Sequence, residues 1–310
     1  MSKTIAITNQ KGGVGKTTSS LALGINYALK GYKTILIDGD AQANSTRNLL
    51  EINEEPKDTE QLHDNLNKKI TYLAKCFGIV SEERADELCS NLKEDENGIE
   101  EKGIADLLTG KVKVKDVEKC IHKTKYENLD IIPSGISLAM AEKEMNDNAY
   151  ILKAIVKQLE DKYDRIIIDS APTVNLLVLN VINAADEILI PCKMDIFSVK
   201  GCFQTINYIN QLTDVMEQAG FLVKKTDYKV FTTMVKKNMN ISKTLYSVLE
   251  NVLGEHLLKT QIRAQDSAVL KSNSGQGHFA LAQGSKRSKI ADDYVGLVQE
   301  VETSMIKGEN

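Results

Sequence analysis

Apolar positions along the chain follow two different periods. Short runs that are apolar at almost every position recur at residues 4–8, 33–37, 129–134, 164–169, 187–191 and 228–234. Runs of this length, rich in Ile, Leu and Val, predict strands buried on both faces. Between them the spacing is helical. Leu21, Leu23, Ile25, Ala28 and Leu29 predict a helix over 19–30 that stops at Gly31. Leu152, Ile155, Val156 and Leu159 predict another, and a third is expected over 202–218. The last helix carries Ile290, Tyr294, Leu297, Val298, Val301 and Met305 on one face and Asp292, Asp293, Glu300 and Glu302 on the other. Strands alternating with helices predict an α/β fold: a doubly wound, mostly parallel central β-sheet flanked by helices.

The pattern changes between 51 and 103, which is rich in Glu, Lys, Asp and Asn. Leu62, Leu66, Ile70, Leu73 and Phe77 keep helical spacing, with Asp58 and Gln61 placed like a capping box. A second helix is expected from Ser81, with Ala85, Leu88 and Leu92 on one face. The expectation is one domain over 1–310 interrupted by a helical hairpin. That hairpin reads either as a solvated decoration or as a contact for a partner or a second copy.

Composition narrows the class. Of 310 residues 42% are hydrophobic, enough for a sizeable core, and the net charge of −4 does not demand a nucleic-acid partner. A local basic face stays open, because clustering decides binding. Cys76, Cys89, Cys120, Cys192 and Cys202 form no C-x-x-C pair, so free thiols in a reducing cytoplasm are expected. No apolar run approaches the ~20 residues of a membrane span, so no stable membrane insertion is expected. With a strand expected from Thr4 onward, no targeting segment is expected ahead of it.

Chemistry concentrates where the first strand meets the first helix, at Lys11-Gly12-Gly13-Val14-Gly15-Lys16-Thr17-Thr18. Glycines between a strand and a helix let backbone N–H groups turn around a phosphate chain, and the helix N-terminus adds partial positive charge. Lys16 is expected on the β/γ-phosphates and the Thr17 hydroxyl on Mg²⁺. The usual P-loop carries glycine where Gln10 stands, and Lys11 adds a second lysine. Two carboxylates, Asp38 and Asp40, follow the second strand, where open α/β sheets bind ligands. Ile166-Ile167-Ile168-Asp169 has the form of a Walker B strand.

Gln10-Lys11 with the glycines resembles the deviant Walker A box of the ParA/MinD/iron-protein ATPases, and the order of motifs resembles the ParA/Soj type. Asp38, Asp40 and Gln42 match that family's D-x-D-P-Q, with Ala41 in place of proline; Ala171 replaces the first proline of its D-x-P-P. Pro133, Pro191 and Gly201 fall at further positions of likeness. The resemblance implies a P-loop NTPase fold in which 11–18 bind ATP or ADP and Thr17, Asp38 and Asp169 hold Mg²⁺. It implies that Asp40 orients the attacking water and that Lys11 crosses to the nucleotide of a second copy. Met234 to Asn238 would lie near adenine, Asn238 reading the base edge or, equally, forming a turn.

The function that this resemblance implies is an ATPase that pairs as a homodimer on ATP. That dimer binds DNA without sequence preference and is released when a ParB-like centromere-binding protein stimulates hydrolysis. It would be cytoplasmic and nucleoid-associated. Lys236, Lys237, Arg263, Lys271, Lys286, Arg287 and Lys289 are the candidate phosphate contacts, with an ordinary scatter of surface cations as the alternative. A MinD-like role at a membrane would need a basic amphipathic terminal helix, and this one is acidic opposite its apolar stripe. An iron–sulfur protein would need paired cysteines in ligand motifs, which Cys120 and Cys192 do not form. A scaffold that binds nucleotide without hydrolysis is disfavoured by Lys16, Asp40 and Asp169 together.

Overall fold

Strand β1 (Lys3–Ile7) lies inside a single eight-stranded sheet. The computed structural model describes residues 2–50, 81, 102–145, 148–173, 175–218, 227–236, 239–264 and 288–307. The predicted hairpin over 51–103 falls almost wholly outside them. The other strands are β2 (Thr34–Gly39), β3 (His122–Lys123), β4 (Leu129–Ile132), β5 (Arg165–Ser170), β6 (Glu187–Lys193), β7 (Asp227–Val235) and β8 (Leu257–Arg263). Their order is β3-β4-β2-β5-β1-β6-β7-β8, parallel throughout except for β3 against β4.

Both faces of this sheet are covered, which is why its strands read as unbroken apolar runs. Ile5, Ile7, Leu36, Ile167, Leu189 and Phe231 point to one face. There they meet helix α1 (Lys16–Leu29) and the terminal helix (Lys289–Lys307), whose Tyr294, Leu297, Val298 and Val301 are buried. Ala6, Ile35, Ile37, Ile166, Ile168, Ile188 and Ile190 point to the other face. That face is covered by α3 (Ile104–Leu108), α4 (Ser137–Glu144), α5 (Ile151–Leu159), α6 (Leu176–Ala184), α7 (Ile196–Gln218) and α8 (Asn240–Leu253). A short helix, α2 (Asn44–Leu50), follows β2, and the terminal helix is α9. Among the described residues no helix is long and apolar enough to cross a membrane.

Winding places the site. From β1 the chain leaves by α1 on one face, while from β5 it leaves by α6 on the other. Because β1 and β5 are neighbours, their diverging exits open a crevice at the C-terminal ends of the strands. Register then brings Asp169 of β5 level with Ile7 of β1 and with Asp38 of β2. Strand β2 continues past Asp169 only because Gly39 has no side chain; a Cβ there would sit 2.8 Å from the Asp169 carbonyl oxygen.

Helix boundaries differ from expectation where polar groups decide them. The first helix begins at Lys16, with Gly15 left-handed at φ 95° as its N-cap. Helix α7 begins at Ile196, six residues before the expected 202, because Asp195 accepts bonds from the Ser198 amide (2.9 Å) and hydroxyl (3.0 Å). Several elements had no sequence expectation, among them α8 and β8. As an edge strand, β8 exposes backbone amides, and α9 covers them with carboxylates. Glu300 accepts from the Lys259 and Thr260 amides at 2.6 and 2.8 Å, and Asp293 from the Arg263 amide at 3.0 Å.

Candidate functional site

The loop between β1 and α1 is open on its outer side. Ideal Cβ atoms at Gly12 and Gly13 would meet nothing within 4 Å, and Gly13 (φ 73°) and Gly15 (φ 95°) are left-handed. Two lysines leave this loop differently. Lys11 is exposed, whereas Lys16 is buried at 6% exposure. The Lys16 ammonium donates to the Lys11 carbonyl at 3.2 Å, and among the described residues no carboxylate lies within ion-pair distance of it. Burial lowers its pKa, against the attraction of Asp169 and Asp40. A desolvated cation with one neutral acceptor is costly, so its surroundings fit an anion.

Opposite it stand two fully buried carboxylates. Asp38 Oδ2 accepts from the Thr46 amide at 2.8 Å and the Thr46 hydroxyl at 2.7 Å, and Oδ1 accepts from the Asp40 amide at 3.2 Å. Asp169 accepts from the hydroxyls of Ser20 (3.0 Å) and Ser45 (2.7 Å). Burial raises the pKa of both, and at Asp38 the charge of Asp169 adds to the rise. Hydroxyl bonds from Ser45, Thr17 and Ser20 pull Asp169 back. Two buried, mutually repelling carboxylates beside a threonine hydroxyl form an all-oxygen set suited to a hard cation. Among the described residues no group of three or more His, Cys, Asp or Glu forms a metal cage. Two carboxylates with a threonine hydroxyl fit Mg²⁺, which takes most of its ligands from phosphate and water. Thr17 and Thr18 lie half-buried in the first turn of α1.

Asp40 sits half-buried at the rim, one oxygen accepting from the Gln42 amide at 2.9 Å. Ala43, at φ 52°, turns the chain there into α2. Several residues that build this site carried no sequence signal. Thr233 donates to the Val14 carbonyl at 2.8 Å, tying β7 to the loop. Asn175 caps α6 and donates to Glu142 at 2.8 Å. Ser20, Ser45 and Thr46 clamp the carboxylates.

Comparison with known proteins decides the family. Residues 2–222, more than two thirds of the chain, match the AAA domain family. The chain belongs to that family, as a ParA/Soj-type ATPase. It is similar to the sporulation initiation inhibitor protein Soj of Bacillus subtilis, 29% identical over 310 residues, covering 97% of this chain and 98% of that one. It is also similar to the chromosome-partitioning ATPase Soj of Treponema pallidum, 28% identical over 265 residues, covering 84% and 83%. A crystal structure of a plasmid partition protein from Borrelia burgdorferi bound to AMPPNP has the same fold. Its TM-score is 0.65 at 20% identity, covering 99% of this chain and 100% of that one.

For a ParA/Soj-type chain, the residues expected at adenine and at DNA divide sharply. Met234, at the end of β7, is left-handed (φ 52°) and 37% exposed. Asn238 lies outside the described residues, as do Lys237, Lys271, Lys286 and Arg287. Lys236, just past β7, and Lys289, at the start of α9, are exposed. Arg263 is not a free cation. Its guanidinium grips Asp293 through two bonds, 2.7 Å from Nε and 2.6 Å from Nη2. That pair already occupies the guanidinium, so a phosphate contact by Arg263 would have to compete with Asp293.

Proposed function

We propose that this protein is a partitioning ATPase. ATP closes two copies face to face, the pair rests on DNA without sequence preference, and hydrolysis separates it. The observation that carries this reading is the divergence of the two loop lysines. Lys16 turns inward, where the charges of Asp169 and Asp40 reach it, and Lys11 faces solvent from the same loop. An inward lysine serves the chain's own phosphates. An outward one, on a loop with an open outer side, serves phosphates held by another copy.

In this reading residues 11–18 bind the triphosphate and Asp40 orients the attacking water. Magnesium, when bound, supplies positive charge to the β- and γ-phosphates, with Thr17, Asp38 and Asp169 holding it directly or through water. Met234 lies beside the adenine. Pairing gathers Lys236 and Lys289 from both copies toward DNA. A ParB-like, centromere-binding protein stimulates hydrolysis, and the working location is the cytoplasm at the nucleoid. The whole chain acts as one ATPase domain carrying the 51–103 insertion. A MinD-like membrane role is disfavoured, because the apolar stripe of α9 is core: Leu297, Val298 and Val301 are fully buried.

Light scattering and DNA retention, run side by side with Mg-ATP, Mg-ADP and no nucleotide, test the reading. The expected result is a dimer retained on DNA only with ATP. A monomer in saturating Mg-ATP, with hydrolysis disabled by Asp40→Ala, would reject it.

A further inference from the structure

Lys11 lies on a loop whose glycines offer no side chains to pack, yet its backbone is held on every side. Its amide donates to Asn9 Oδ1 at 2.8 Å, and its carbonyl accepts from Lys16 Nζ at 3.2 Å. Asn9 is fully buried, and its own Nδ2 donates to the Pro191 carbonyl of β6 at 2.8 Å. That bond fixes which end of the Asn9 amide faces Lys11. Beside it, Thr205 of α7 accepts from the Gln10 amide at 3.1 Å and donates to the Gly201 carbonyl at 2.9 Å. Finally, Gly201 of α7 approaches the lysine itself. A Cβ at Gly201 would sit 2.9 Å from Lys11 Cβ and 3.6 Å from its Cγ. No other residue type fits there without displacing Lys11.

We propose that Asn9, Thr205 and Gly201 are positioning residues for Lys11: a bracket built by β6 and α7 that aims this lysine outward before a second copy arrives. This rests on the reading of Lys11 as the lysine that reaches the partner's nucleotide. Among the described residues no hydrogen bond joins Asn9, Thr205 or Gly201 to Gly12–Thr18, so the bracket serves pairing more than nucleotide capture. Its physical gain is preorganisation: a lysine already aimed loses less freedom when a phosphate of the second copy accepts it. It also ties Lys11 to the N-terminal turns of α7, so any shift of that helix re-aims the lysine.

The test separates nucleotide capture from pairing in the full-length chain. Binding of a fluorescent ATP analogue is measured at dilution where the protein is monomeric. ATP-dependent pairing is measured by light scattering in the hydrolysis-disabled Asp40→Ala background. Thr205→Val keeps the shape but leaves the Gln10 amide without its acceptor, and Gly201→Ala pushes on Lys11. Each is expected to hold analogue affinity within about twofold and to weaken pairing roughly tenfold. Thr205→Ser should restore pairing. Because the bracket acts through Lys11, Thr205→Val should add nothing to Lys11→Ala in the double variant. Wild-type pairing in both Thr205→Val and Gly201→Ala, with Lys11→Ala unable to pair, would overturn the bracket and leave the dimer reading intact. Additive losses, or equal loss of analogue binding and pairing, would also overturn it. If Lys11→Ala itself pairs like its parent, the dimer reading fails first and the bracket falls with it.

Discussion

Thr46 gives both of its donors to one oxygen of Asp38: its hydroxyl at 2.7 Å and its amide at 2.8 Å. The same hydroxyl oxygen accepts from the Ser134 amide at 2.9 Å, so α2 is tied at once to β2 and to the segment leaving β4. Thr46→Val removes the hydroxyl, leaving the Ser134 amide and a buried carboxylate each short of a partner. Such losses cost about 1–3 kcal/mol. Urea unfolding should register that loss in Thr46→Val and most of its recovery in Thr46→Ser. If valine proves as stable as threonine, the clamp on Asp38 is not structural.

Lys16 makes the opposite prediction for the chain without nucleotide. A buried ammonium with one carbonyl partner is a standing cost, so Lys16→Met should raise unfolding stability by about 1–2 kcal/mol when no nucleotide is present. The same change should abolish the thermal shift that Mg-ATP gives the parent. Unfolding curves with and without Mg-ATP decide both halves. A destabilised variant would mean that Lys16 is better solvated than its 6% exposure implies.

The contrast between these residues and others explains what could be read from the chain. Strands β1, β2 and β5 were legible because both faces are buried, so each is an unbroken apolar run. The loop lysines and Asp169 were legible because glycine-rich turns and strand-end carboxylates have few other uses. By contrast, α8 was not. Its buried residues are Ser242, Leu249 and Leu253, while Ile241, Val248 and Val252 face outward, so its apolar pattern does not mark a core. Neither was β8, whose Lys259, Thr260 and Gln261 carry no strand pattern and whose edge amides pair with Glu300 and Asp293 of α9. Thr46, Ser20 and Asn9 were silent for another reason. A hydroxyl or amide near a helix start or just past a strand is commonplace, and only the fold reveals which carboxylate or carbonyl it meets.

Asp40 lies within the crevice but outside the fully buried pair, held by one bond from the Gln42 amide. A carboxylate placed there can orient a water without being needed to bind the triphosphate. Asp40→Ala should therefore keep ATP affinity and lower turnover by about 10²-fold or more. Its dimers should persist on DNA long after the parent has dissociated. Steady-state phosphate release measures the first effect, and a DNA-retention time course measures the second. Unchanged turnover would remove the water-orienting role from Asp40.

At the far end of the sheet, Glu187 supplies a pH dependence unrelated to nucleotide. It is buried at the start of β6, and burial pushes its pKa from 4.5 up to about 7, against a bond from the Ser304 hydroxyl at 3.2 Å. Below the unfolded value the carboxyl is neutral in both states and costs nothing. As pH rises toward 7 the folded chain holds a proton that the unfolded chain has released, and stability falls. Above 7 the full cost of a buried charge is present. Glu187→Gln should thus change little near pH 4.5 and gain about 3 kcal/mol at pH 8. Denaturant unfolding at the two pH values checks this; an equal gain at both would refute the titration.

Arg263 and the exposed lysines separate stability from DNA binding. Asp293 is only 10% exposed and accepts three bonds from Arg263, one from the amide and two from the guanidinium. Among the described residues, Arg263→Ala leaves that carboxylate with the amide alone, at a cost of about 1–3 kcal/mol. Because the guanidinium is already neutralised, the salt dependence of DNA retention should not change. Lys236→Gln and Lys289→Gln should behave in reverse, with stability within about 0.5 kcal/mol of the parent. In a dimer each lysine counts twice, so either change should reduce the log–log salt slope by about two. Retention measured from low to moderate salt distinguishes the two kinds of residue. A slope lowered by Arg263→Ala but not by the lysines would move the DNA-facing surface toward β8.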